Sequence, residues 1–238
     1  MLWLSRKDIE HISRRLLRDY LKKVPQKVDH IDPADFAEKM CGLQFTFADI
    51  SEAHDAIGLT ATSGVIITIP QRDGTRLDYE LDGKTAFIDQ SLVAENQIGR
   101  LNFTMMHEAA HQLFWMLYPE EYEAQTPRRV FRMTDEHTQY PVLDWEEWQT
   151  NVLTSFLLLP KELVYRHMAN VGLKDGISVL NRIYARKDYE RFSEAAKRLG
   201  VSKTALTIRL SQLGLVGRND LYDPYALVDI FPEKNEIA

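Results

Sequence analysis

Residues 103–115 read Phe-Thr-Met-Met-His-Glu-Ala-Ala-His-Gln-Leu-Phe-Trp. The spacing predicts a helix, and Phe103, Met105, Met106, Leu113, Phe114 and Trp115 make it largely buried. Its central turn nevertheless carries two histidines and a glutamate. Ionisable groups taken out of water need partners. Whatever fold this chain adopts must therefore bring something to His107, Glu108 and His111.

A metal ion is one such partner. Residues four apart share a helix face, so His107 and His111 can aim ring nitrogens at one tetrahedral cation. Glu108 projects about 100° further round the helix. It then lies beside the cation rather than on it, placed to take a proton from water held there. This is the His-Glu-x-x-His arrangement, and zinc suits two imidazoles plus a carboxylate. The competing explanation is a histidine pair satisfied inside the core without an ion.

A catalytic zinc takes three protein ligands and keeps one position open. The segment Asp-Trp-Glu-Glu-Trp-Gln-Thr-Asn-Val-Leu-Thr-Ser-Phe-Leu-Leu-Leu-Pro, residues 144–160, predicts a second apolar helix offering Glu146, Glu147 and Gln149. If Glu147 faces the metal, Asn151 shares its face. Asn151 can then hydrogen-bond a ligand imidazole and fix its tautomer. Glu146 falls about 100° away and is expected to be solvated. In the first turn, Asp144 and Glu146 also suit the helix dipole.

Elsewhere, helical spacing predicts an amphipathic helix over about residues 7–23. A short helix follows, opened by Asp32-Pro33 and closed by Gly42. From Leu43 to Asp89 the texture becomes β-branched and apolar. Residues 64–69 read as a strand, and 77–81 and 84–88 as a hairpin turning at Asp82-Gly83. A small antiparallel sheet is expected here. Helical patterning resumes near Ser91 and runs to about Leu117. Residues 119–143 are polar, contain three prolines and read as a long loop or insertion. The fold class expected is α+β, with a mainly helical core over 1–175, a helical region over 176–215 and a tail over 216–238.

With a formal net charge of −6, the chain is poorly suited to coating nucleic acid. Its single cysteine, Cys41, excludes an internal disulfide and reads as a small apolar residue. No signal-peptide-like or membrane-spanning run is present in the sequence, so a cytoplasmic protein without membrane contact is expected.

The segments Phe-Thr-Met-Met-His-Glu-Ala-Ala-His and Glu-Trp-Gln-Thr-Asn-Val-Leu-Thr-Ser-Phe-Leu-Leu-Leu-Pro together resemble the ImmA/IrrE family of zinc metallopeptidases. That family pairs an F-T-x-x-H-E-x-x-H helix with a later E-x-x-A-[ND]-x-F-A-x-x-L-L-x-P helix. The resemblance implies that His107, His111 and Glu147 bind Zn²⁺ and that Glu108 is catalytic. Asn151 matches the polar position and Pro160 the closing proline. Ala110 stands where glycine is frequent. Thr150 and Thr154 replace alanines, and Leu153 replaces an aromatic residue. The resemblance further implies an endopeptidase acting on a cytosolic protein, such as a helix-turn-helix transcriptional repressor of a mobile element or stress response. A DNA-binding or protein-binding regulator with a sensing or structural metal is the alternative.

Residues 192–215 resemble the family's helix-turn-helix segment. Phe192, Ala195, Ala196 and Leu199 line one face, Gly200 breaks the helix, and Ser202 can cap a second. Lys203, Thr204, Thr207 and Arg209 are expected outward, where a DNA reader would use them. A helical hairpin packed on the core is the simpler reading. In the 119–143 segment, His137 and Tyr140 are candidates to stabilise an oxyanion. Arg128, Arg129 and Arg132 form a basic cluster there. His167 is expected on a helix surface, and Trp115, Trp145 and Trp148 in the core.

Overall fold

Ser5 opens helix α1 (Arg6–Lys23) with a reciprocal cap: its hydroxyl accepts from Asp8 N, and the Asp8 carboxylate accepts from Ser5 N. The Asp32 side chain accepts from Ala34 N and Asp35 N to start α2 (Pro33–Cys41), and left-handed Gly42 ends it. Both match the sequence expectation. The structure is a computed structural model and describes residues 3–25, 27–51, 56–61, 64–71, 74–123, 130–134 and 145–225.

The chain is α+β. After α2 come β1 (Gln44–Ala48), β2 (Ala56–Ala61), β3 (Val65–Pro70), β4 (Arg76–Leu81) and β5 (Thr85–Asp89). Two 3₁₀ turns lead into α3 (Ile98–Leu117), the helix that carries His107. Then follow α4 (Pro119–Glu123), β6 (Val130–Thr134), α5 (Trp145–Leu158), α6 (Lys161–Asn170), β7 (Ile177–Leu180), α7 (Arg186–Leu199), α8 (Lys203–Gln212) and β8 (Val216–Asn219). Among the described residues no helix is long and apolar enough to cross a membrane.

The sheet departs from a simple meander. Its order is β1-β5-β2-β6, and β1 runs parallel to β5. Asp82-Gly83 does form a tight turn: Asp82 Oδ1 accepts from Lys84 N and Thr85 N, and Gly83 has φ 78°. It does not close a hairpin, because β4 pairs with β3 while β5 crosses into the other sheet. The true hairpin, β3–β4, turns near Gly74. Strand β6 also lies within the segment expected to be loop, paired antiparallel with β2.

Helix α3 is gripped on three sides. Met106, Ala110, Leu113 and Phe114 enter a helical core with Leu153, Phe156, Val164, Phe192, Leu199, Leu206 and Leu210. Ala109 meets Ala86 of β5, and Met105 meets Ile57 and Ile88. The stripe Thr104, Glu108, Gln112 runs along β2. Gln112 Nε2 donates to Thr60 Oγ1 at 3.0 Å and to Ala61 O at 2.6 Å.

The first turns of α3 rest on the turn between α7 and α8. Asn102 Nδ2 donates to Gly200 O at 2.8 Å. A Cβ placed on Gly99 would lie 2.4 Å from Ser202 N and 2.6 Å from Val201 C. Alanine normally exceeds glycine in helix propensity by about 1 kcal/mol. Here Gly99→Ala must instead push two backbones apart. It is expected to destabilise by about 1–3 kcal/mol in urea denaturation, the opposite sign to propensity.

Candidate metal centre

Helix α5 lies against α3 and presents Glu147 to the two histidines. His107 Nε2 is 3.2 Å from Glu147 Oε2, His111 Nε2 is 3.3 Å from Glu147 Oε1, and the two Nε2 atoms are 3.1 Å apart. Ligands held about 2.0–2.1 Å from a tetrahedral zinc lie roughly 3.3–3.4 Å from one another. The three contacts therefore have the dimensions of one face of such a tetrahedron. His107, His111 and Glu147 form a group that can hold a metal ion. Both histidines are buried, while the Glu147 side chain keeps 31% of its exposure, so the group is reached from one side.

The electrostatics favour a cation. Burial opposes the charged form of Glu147, but hydrogen bonds and charge from His107 and His111 outweigh it. Its carboxyl is held well below the usual range. A divalent ion between these groups acts in the same sense. Glu108 is shifted the other way, raised well above the carboxylate range by burial and then by the charge of Glu147.

Glu108 is completely buried, and among the described residues neither of its carboxyl oxygens has a hydrogen-bond partner. It occupies a cradle that only glycine provides. A Cβ on Gly58 of β2 would sit 2.3 Å from Glu108 Oε1 and 2.8 Å from Thr104 Cγ2. A buried carboxyl without a partner among the described residues is compatible with an ion held by the neighbouring group. The donor set, its spacing and this orphaned acid all suit a divalent metal.

The structure thus brings His107, His111 and Glu147 together, with Glu108 against Gly58 of β2. The support for the imidazoles differs from expectation. Thr150 Oγ1, rather than Asn151, lies 3.4 Å from His111 Nδ1. Asn151 is only half-buried, being one residue further round the helix. Gly58 went unnoticed in the sequence. Its signal is a lone glycine inside the apolar strand Ala-Ile-Gly-Leu-Thr-Ala, which marks close backbone approach.

Several other residues lie differently. Glu146 is buried at 6% exposure rather than solvated. His167 is buried too, with Nε2 2.6 Å from Asp29 O, so it serves the α6 packing rather than the metal group. Trp145 stacks on Trp148 and is met by Trp3. Cys41 is half-buried; its thiol donates to Ala37 O and burial pushes its pKa up to about 11, which leaves it inert. His137, Tyr140, Arg128 and Arg129 lie outside the described residues.

The helix pair α7–α8 has the expected turn, with left-handed Gly200 and Ser202 accepting from Ala205 N. Its second helix does not present the expected face. Thr207 and Arg209 are buried, at 3% and 5% exposure. Arg209 Nε donates to Leu159 O, and its guanidinium lies over the Phe156 ring. Lys203 reaches Tyr189, and Thr204 shares a hydrogen bond with Tyr222. Two of the four residues assigned outward are therefore core groups.

Comparison with protein-family models and with curated proteins returned no match. The purified protein is expected to bind one equivalent of a divalent metal ion at this group. His111→Ala and Glu147→Ala should each weaken binding by more than roughly a hundredfold, beyond the range of outer partners. Competition against a chromophoric chelator measures this.

Proposed function

We propose that this protein is a zinc-dependent metallo-endopeptidase, with His107, His111 and Glu147 as the metal ligands and Glu108 as the general acid and base. The observation that carries the proposal is the pairing of a three-ligand face with an unpartnered, buried carboxyl one residue from the first ligand. A closed structural site would instead use four protein ligands and is commonly rich in cysteine. When bound, zinc supplies Lewis-acid polarisation of a peptide carbonyl and makes water easier to deprotonate.

The chain's own residues do the remainder. Glu108, aimed by Gly58 and the β2 backbone, accepts the proton of the attacking water and delivers it to the departing amine. Burial and the charge of Glu147 raise its proton affinity, the direction that strengthens a general base. Glu147, kept ionised, contributes negative charge to the ligand set without competing for that proton.

The resemblance to ImmA/IrrE peptidases bears on the substrate, which we take to be a helix-turn-helix transcriptional repressor in the cytoplasm. The alternative, a regulator that binds DNA or protein with a sensing metal, is weakened by the burial of Thr207 and Arg209. It also assigns no role to Glu108.

Zinc-loaded protein should cleave a helix-turn-helix repressor offered as substrate. Glu108→Gln should keep the metal and lose activity by roughly a hundredfold or more. Gly58→Ala should behave alike, because the added methyl displaces the Glu108 carboxyl while leaving the ligand triangle alone. Equal cleavage by wild type and Glu108→Gln, followed by electrophoresis and mass spectrometry, refutes the assignment.

A further inference from the structure

We propose that Thr150 is a positioning residue for the metal ligand His111, its hydroxyl oxygen accepting a hydrogen bond from Nδ1–H so that the Nε2 lone pair is directed at a bound divalent cation. The inference rests on the metal centre proposed above and adds a residue to it.

Thr150 lies on α5 three residues after Glu147, so both project toward α3 from adjacent turns. It is fully buried. Its Oγ1 is 3.4 Å from His111 Nδ1, on the opposite edge of the ring from the nitrogen that faces Glu147 and His107. A neutral imidazole carries one proton. For Nε2 to donate its lone pair to a cation, that proton must sit on Nδ1, where it requires an acceptor. A threonine hydroxyl oxygen can accept it. The backbone beneath is itself tied, since Thr154 Oγ1 donates to Thr150 O at 2.8 Å.

The two histidines are not equivalent in this respect. His107 Nδ1 is buried and has no hydrogen-bond partner among the described residues. His111 is thus the ring held at both edges, and α5 reaches it twice, through Glu147 and through Thr150. In the resembling pattern alanine commonly occupies this position, and alanine has no hydroxyl to offer.

The test compares wild type with Thr150→Val, which keeps the shape and removes the hydroxyl, Thr150→Ser, which keeps the hydroxyl, and Thr150→Ala. Zinc affinity is measured by chelator competition, and the histidine tautomers by side-chain ¹H–¹⁵N correlation spectra of the zinc-loaded protein. Loss of an outer hydrogen-bond partner costs roughly 10–100-fold in metal affinity. Thr150→Val and Thr150→Ala should fall at the lower end, about tenfold weaker. They should also lose the slowly exchanging Nδ1–H signal of His111. Thr150→Ser should retain both signal and affinity. Wild-type affinity in Thr150→Val or Thr150→Ala overturns the proposal while leaving the metal centre intact. Equal weakening in Thr150→Ser overturns it as well, since the hydroxyl is then irrelevant. Should Thr150→Val fail to fold, Thr150→Ala carries the same comparison. No zinc binding by wild type overturns the metal centre and this proposal with it.

Discussion

A helix with two imidazoles and a carboxyl in its most buried turn has to be answered by its surroundings. Stripping water from a charged group costs several kcal/mol even after the protein relaxes. The surroundings of α3 are arranged around that cost. Apolar residues on its other faces anchor it to helices on one side and to β5 and β2 on the other. The polar stripe is then left to Glu147, Thr150 and the glycine of β2. Burial is what makes the group chemically distinctive: it raises the proton affinity of Glu108, while the imidazoles hold Glu147 ionised. The carboxyls of Glu108 and Glu147 are thereby driven in opposite directions within one site.

The local parts of this arrangement are legible in the sequence because each depends on spacing along one helix. His107 and His111 share a face by periodicity, and Glu147 sits in the first turn of an apolar helix of suitable length. Caps at Asp32 and Ser202 are equally local. What cannot be read locally is how two helices are rotated against each other. Asn151 and Thr150 differ by one residue, or about 100° of rotation, and only the α3–α5 packing decides which of them meets His111. Glu146 is misjudged for the same reason: nothing local says that the first turn of α5 is covered.

The sheet shows the same division. Asp82-Gly83 makes the turn its composition encodes, yet the strand after it pairs elsewhere. Partner choice is made by long-range contacts, with Ala86 and Ile88 of β5 needed beneath Ala109 and Met105 of α3. A turn motif constrains direction over a few residues and cannot specify which edge the next strand joins. Arg209 is a further case. Its charge suggests solvent, but the guanidinium has weak hydration, a flat face that suits Phe156 and donors that reach the carbonyl of Leu159.

That last contact changes the meaning of the helix pair α7–α8. Its turn holds the beginning of α3 through Gly200 and Ser202, while Arg209 satisfies a carbonyl just beyond the end of α5. The two helices that carry His107, His111 and Glu147 are therefore braced by one and the same unit, at the start of one and the finish of the other. A helix-turn-helix reading DNA must keep its second helix free on the outer face. Here that helix has spent its arginine and a threonine on the interior, and its lysine and another threonine on neighbouring tyrosines. The motif retains its backbone geometry, while its turn and Arg209 brace α3 and the end of α5, the two elements whose packing sets Glu147 and Thr150 against His111.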